Sequence, residues 1–231
     1  MQFLSLNDIS FTYPPVEGDI DADGKQIVPR PVFEHFSAEL PSGFVSFVGQ
    51  NGCGKSTLLR ALSSTSNCIL IPTNIPKVKG FTVEEFIRTG CFRESDWAGR
   101  LHAETRNRLK AALQLLGMEG LAGQDISTLS DGEFQKACIA VGLTRKADVL
   151  LLDEPTAFLD VENRIMVLQT LRDVAQETGM AVLFSSHDLQ DALLVARRVL
   201  TFTPDGTFLE SAPDGRETAL RTAFPSWSSA K

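Results

Sequence analysis

The residues with the clearest chemistry form one short run, Gly49-Gln50-Asn51-Gly52-Cys53-Gly54-Lys55-Ser56-Thr57. It fits the pattern G-x-x-x-x-G-K-[ST] at every fixed position. The glycines let backbone N–H groups curl around phosphate oxygens, and a helix N-terminus behind them adds its positive end. Lys55 can then reach the β- and γ-phosphates of a nucleotide, and the Ser56 hydroxyl can bind Mg²⁺. The flanks agree with this reading. Phe44 to Val48 is an apolar run suited to a buried strand, and Leu58, Leu59 and Leu62 follow at helical spacing.

Two acids form the second constellation. The aliphatic run Val149-Leu150-Leu151-Leu152 leads straight into Asp153-Glu154-Pro155. A carboxylate at the C-terminal end of a buried strand, beside a phosphate loop, suits Mg²⁺ binding through Asp153. Glu154 is then placed to polarise a water for attack on the γ-phosphate. Two further stretches are weaker when taken alone. Leu129-Ser130-Asp131-Gly132-Glu133 reads as a helix start, with Ser130 as cap and an N-terminus that favours anions. His187 follows the apolar run Ala181 to Phe184, which places it at the same sheet edge as the phosphate loop. A lone histidine after a strand is more often structural, and His35 and His102 are read that way.

These residues must be positioned by strands alternating with helices. Strands are expected near 2–13, 32–40, 44–48, 68–71, 149–152, 181–184 and 198–203. The proline- and acid-rich stretch 14–31 reads as an exposed loop. Just before it, Tyr13 could stack on a nucleobase or simply pack on the core. Between 77 and 145 the character changes to helices. One opens at the capping-box sequence Thr82-Val83-Glu84-Glu85, and a second spans 103–117 with Leu109, Leu113 and Leu116 on one face. A third spans 132–146, with Phe134, Cys138 and Val141 as its apolar stripe. A further helix from Val161 to about Thr178 is expected to turn Ile165, Leu168, Leu171 and Ala175 inward. A weak helical segment is expected around 217–223.

With 231 residues, 43% apolar and 22% charged, the composition is that of an ordinary globular chain. A formal charge of −7 argues against a protein built mainly to grip nucleic acid. Cys53, Cys68, Cys91 and Cys138 show no C-x-x-C pair and no metal-ligand spacing, so a reduced cytosolic compartment is the default. No apolar run approaches the ~20 residues that span a bilayer, so membrane work would need another chain.

In order along the chain, these motifs resemble the nucleotide-binding subunit of ATP-binding cassette (ABC) transporters. Tyr13 matches the aromatic that stacks on adenine, Gly49 to Thr57 the Walker A loop, and Val149 to Glu154 Walker B with its catalytic glutamate. Ser130-Asp131-Gly132-Glu133 matches the signature usually written LSGGQ, Leu159-Asp160 the D-loop, and His187 the switch histidine. The resemblance implies an α/β P-loop NTPase cassette in a single domain. It would have a RecA-like parallel-sheet core (1–76 and 146–231), a reduced antiparallel β-subdomain and an inserted helical subdomain (77–145).

It also implies ATP and Mg²⁺ as cofactors, and a head-to-tail dimer in which the signature of one copy closes over ATP on the other. Permease subunits and, indirectly, an extracytoplasmic binding protein would be partners, with no nucleic acid. The chain would sit at the cytoplasmic face of the membrane. The phrases Phe81 to Phe86 and Asp153 to Asp160 resemble the branch importing iron–siderophores, haem and cobalamin. Two alternatives are a non-transport ABC ATPase of DNA repair or translation, and a weakly hydrolysing regulator. Two departures stand out. Where the family places a Mg²⁺-binding Gln, this chain has Ile71-Pro72-Thr73-Asn74, so Asn74, or less favourably Thr73, is the candidate metal ligand. The stretch from Lys55 to Thr73 is also short, hence the reduced β-subdomain.

Overall fold

The computed structural model describes residues 4–12, 32–40, 43–64, 67–96, 100–203 and 207–227. Tyr13, and with it the stacking expectation, lies outside them, as does the whole of the 14–31 loop. Two strands, β1 (Leu4–Phe11) and β2 (Phe33–Leu40), pair antiparallel as a separate two-stranded sheet. Among the described residues, this two-stranded sheet is the antiparallel layer that the sequence leads one to expect beside the parallel core.

The main sheet begins with β3 (Phe44–Val48), which feeds α1 (Lys55–Ser63) and then β4 (Cys68–Ile71). Helices α2 (Val83–Thr89), α3 (Ala103–Leu115) and α4 (Asp131–Thr144) follow in a block before the chain re-enters the sheet. The remaining elements are β5 (Val149–Leu152), α5 (Val161–Thr178), β6 (Ala181–Ser186), α6 (Leu189–Val195), β7 (Arg198–Phe202), β8 (Phe208–Glu210) and α7 (Arg216–Ala223). The six-stranded order is β4-β5-β6-β3-β7-β8, parallel except for β8 against β7. This order matters for chemistry. Strand β6 lies between β3 and β5, so its C-terminal end falls between the phosphate loop and the two acids.

Burial explains why these strands are apolar throughout. Every residue of β3 and β5 is buried, as expected for a parallel sheet covered on both faces. Leu58, Leu59 and Leu62 of α1 are fully buried against it, each contributing about 2 kcal/mol through lost apolar surface. The small β1–β2 sheet is joined to the main one by phenylalanines. Phe33 and Phe36 meet Phe202 and Phe208 with ring centroids 5.3 to 6.1 Å apart.

Two helix expectations are corrected. Ile165 does not face inward: it is 36% exposed, and Val167 takes the buried position beside Leu168, Leu171 and Ala175. Helix α4 has no single apolar stripe. Phe134, Ala137, Cys138, Ile139 and Ala140 are all buried while Val141 is only partly so, because the helix is wrapped by α2, α3 and the sheet. His35 and His102 are both exposed, and His35 Nδ1 bonds Asp8 Oδ1 at 2.7 Å across the β1–β2 pair.

Candidate functional site

The phosphate loop closes on itself through Lys55. Its Nζ donates to the carbonyls of Gly49 (2.8 Å) and Gln50 (3.1 Å), and the side chain is buried. Gly54 sits at φ +97°, and a Cβ there would press within 2.9 Å of Val32 and 3.0 Å of Phe33. Only glycine fits this crossing under β2. A cavity of about 200 Å³ is lined by Val32, Asn51, Gly52, Gly54, Lys55, Ser56, Thr57 and Glu154. It has a buried cation at its base, a helix N-terminus behind and a carboxylate at its edge. A phosphate chain fits this donor set. Gly49 and Cys53 lie outside its lining. Cys53 instead faces a neighbouring cavity walled by Phe33, Phe36, Phe202 and Phe224.

Asp153 and Glu154 emerge from β5, and Ser185 of β6 fixes both. Its hydroxyl donates to Asp153 Oδ1 at 2.7 Å, and its oxygen accepts from the Glu154 amide at 2.8 Å. Glu154 has φ +47°, the left-handed region, a strain of about 1–3 kcal/mol for a residue with a side chain. His187 Nδ1 lies 3.4 Å from Glu154 Oε2. The expected acid and histidine are therefore neighbours.

A buried polar lattice lies behind them. Thr156 donates to Asp191 of α6 at 3.3 Å, and Arg164 of α5 bonds Asp188 at 2.9 Å and approaches Asp191 at 3.7 Å. Burial, with Asp188 nearby, pushes the Asp191 carboxyl above its usual range against the pull of Arg164 and Thr156. Asp188 also caps α6 by accepting from Gln190 N. Ser185, Thr156, Arg164 and Asp191 went unnoticed in the sequence. The available signal was the pair Ser185-Ser186 ending a strand otherwise apolar.

Thr73 and Asn74 lie beyond the end of β4 and line the same cavity. Thr73 Oγ1 donates to the Asp153 carbonyl at 2.9 Å. Asn74 is exposed and lines a cavity of about 470 Å³ with Lys77, Asp131, Gln135 and Phe158, not the phosphate-loop cavity.

The signature-like residues form a separate surface. Ser130 and Glu133 make a complete capping box on α4. Ser130 Oγ accepts from the Glu133 amide, while Ser130 N (2.8 Å) and Oγ (2.7 Å) both donate to Glu133 Oε2. These bonds hold the Glu133 carboxyl below its usual range. Asp160 caps α5, and the Asn163 amide and side chain likewise lower its carboxyl. A Cβ on Gly132 would meet Leu159 Cδ2 and the Phe158 carbonyl at 3.3 Å, so glycine lets these two segments touch. Ser130, Asp131, Gly132, Glu133 and Asp160 line one cavity of about 490 Å³ and share no lining residue with the phosphate-loop cavity.

Comparison with known proteins places this arrangement. Residues 33–157 match the family described as ABC transporter. The iron(3+)-hydroxamate import ATP-binding protein FhuC of Bacillus subtilis (strain 168) is 31% identical, with 78% of each chain covered. The ferric enterobactin transport ATP-binding protein FepC of Escherichia coli (strain K12) is 30% identical, covering 79% of this chain and 76% of that one. The aliphatic sulfonates import ATP-binding protein SsuB 1 of Rhodococcus jostii (strain RHA1) is 37% identical over 72% of this chain and 70% of that one. Among solved structures, an inward-facing one described as a metal-chelate type ABC transporter superposes with TM-score 0.73 at 25% identity. It covers 84% of this chain and 83% of that one. The dimeric bacterial ABC transporter cassette MJ0796 shares the fold, with TM-score 0.72 at 19% identity, covering 92% and 99% of the two chains.

Proposed function

The chain belongs to the ABC transporter family, and on that footing we propose that it is the ATP-hydrolysing subunit of an importer for an iron chelate. The observation that carries the catalytic part is Glu154, held in a strained backbone and lining the phosphate-loop cavity, with His187 at its carboxylate. Lys55 supplies a point charge to the β- and γ-phosphates, and the Asn51 to Thr57 backbone amides cradle them. Glu154 accepts the proton of the attacking water, and His187 orients that carboxylate. Ser185 keeps Asp153 and Glu154 in register with each other. Bound Mg²⁺ would supply charge neutralisation on the phosphates, held by Ser56 and Asp153; Asn74 lines a separate cavity and would join them as the further ligand only if its segment swung toward the phosphate loop.

In this reading the site is completed by a second copy. The Ser130 to Glu133 surface and Asp160 close over ATP held by the other chain's phosphate loop, head to tail. The surface lies apart from this chain's own phosphate-loop cavity, which suits that division. Ser130 Oγ donates to Glu133, so contact with a γ-phosphate would exchange one bond for the other. Residues 77–145 act as the helical subdomain between 1–76 and 146–231. No helix among the described residues is long and apolar enough to cross a membrane. The chain sits at the cytoplasmic face against separate transmembrane permease subunits, which an extracytoplasmic binding protein feeds.

The iron-chelate assignment draws on the relatives' stated substrates, which also include aliphatic sulfonates. Uptake of a radiolabelled ferric siderophore tests it in a strain lacking this chain. Loss of that uptake, restored by the intact gene and not by a Lys55→Ala copy, is expected. Normal ferric uptake with lost growth on an aliphatic sulfonate would overturn the substrate.

A further inference from the structure

Where the signature pattern LSGGQ has its first glycine, this chain has Asp131, and the acid arrives with a partner. Lys77, from the segment where the family's Gln is missing, donates from Nζ to Asp131 Oδ1 at 2.8 Å and to the Leu129 carbonyl at 2.8 Å. The same ammonium lies 5.5 Å from the Phe134 ring centroid. These contacts fix it against the start of α4, with the Lys77 side chain 27% exposed and Asp131 74% exposed. Asp131 stands on the ridge between two cavities, lining both the one with Asn74 and the one with Ser130 and Asp160.

The charge on that ridge is adverse to an anion. Asp131, Glu133 and Asp160 are carboxylates, and Lys77 and Lys136 are the lysines beside them. Lys136 bonds Asn163, which in turn bonds Asp160. Lys77 is the one of the two lysines paired directly with Asp131. An exposed pair of this kind contributes little in water. Once a second copy covers the surface, water leaves, and an unpaired carboxylate facing ATP is repelled much more strongly.

We propose that Lys77 is a positioning residue that neutralises Asp131, so that the start of α4 can face the γ-phosphate bound by the second copy. This rests on the shared-site reading above. The charge arithmetic gives its test. With hydrolysis blocked by Glu154→Gln, the Mg-ATP concentration that half-converts monomer to dimer is measured by size exclusion. Adding Lys77→Met removes the counter-charge of Asp131 and makes the ridge one charge more negative, and should raise that concentration ~10-fold or more. Adding Asp131→Gly to Lys77→Met restores the balance and should bring it back to within about threefold of the parent.

A Lys77→Met protein that Asp131→Gly does not rescue would show that Lys77 is only a structural tether, and would overturn the proposal. So would an unchanged midpoint in Lys77→Met. If the Glu154→Gln parent itself forms no ATP-dependent dimer, the shared-site reading falls and takes this proposal with it. That result is seen before any lysine variant is made.

Discussion

Ser185 shows how much of this site depends on a residue with no motif of its own. One hydroxyl bonds the Asp153 carboxylate and the Glu154 amide together. Ser185→Ala should therefore lower kcat by ~10-fold or more while ATP binding, read by equilibrium titration, changes little. An unchanged kcat would make that bridge ornamental. At Asn74 the expectation concerns metal. Asn74→Ala should weaken Mg²⁺-dependent turnover and leave metal-free nucleotide binding nearly unchanged. Equal turnover across a Mg²⁺ titration would remove Asn74 from the metal shell. The residues that could be read in the sequence were those whose chemistry is local. The spacing Gly49 to Ser56 implies a phosphate cradle whatever surrounds it, and Asp153-Glu154 ends an unmistakable buried strand. Ser185, Arg164 and Lys77 act on partners far along the chain, at 153, 188 and 131, so no window of sequence displays them.

At the scale of elements, the helix starts carry their own stability and their own pH dependence. Thr82 and Glu85 form the same reciprocal capping box on α2 that Ser130 and Glu133 form on α4. Thr82→Ala should cost about 1 kcal/mol in denaturant unfolding. Hydrogen bonds from Thr82, Ser130 and Asn163 hold the carboxyls of Glu85, Glu133 and Asp160 below their usual values. Their folded values are lowered, so their contribution is complete above pH ~4.5 and is lost as pH falls through the lowered values. Asp191, with its value raised by burial, acts in the opposite sense. Unfolding free energy should therefore drop as pH falls below about 4.5, and less steeply in Thr82→Ala. An equal acid slope in both proteins would contradict the cap's role. The S/T-x-x-E starts were legible because a cap is a local device. The inward face of α5 was misread at Ile165 because helical spacing fixes a face only to within about one residue of rotation. Burial of α4 on nearly every side depends on neighbours from three other elements and could not be read from its own stripe.

At the scale of the whole molecule, the phosphate-loop cavity and the cavity at the start of α4 share no lining residue among the described residues. The order of motifs announced the parallel core, and β6 between β3 and β5 explains why His187 meets Glu154. The phenylalanine contacts that dock β1–β2 were not legible, since Phe33, Phe36, Phe202 and Phe208 come from opposite ends of the sequence. The central claim is that ATP held by Lys55 is closed upon by a second copy and cleaved with Glu154. Size exclusion of Glu154→Gln at saturating Mg-ATP tests it most directly, beside the same protein carrying Lys55→Ala. The account predicts a dimer for the first and a monomer for the second. A monomer in both, or a dimer that persists without Lys55, would contradict it.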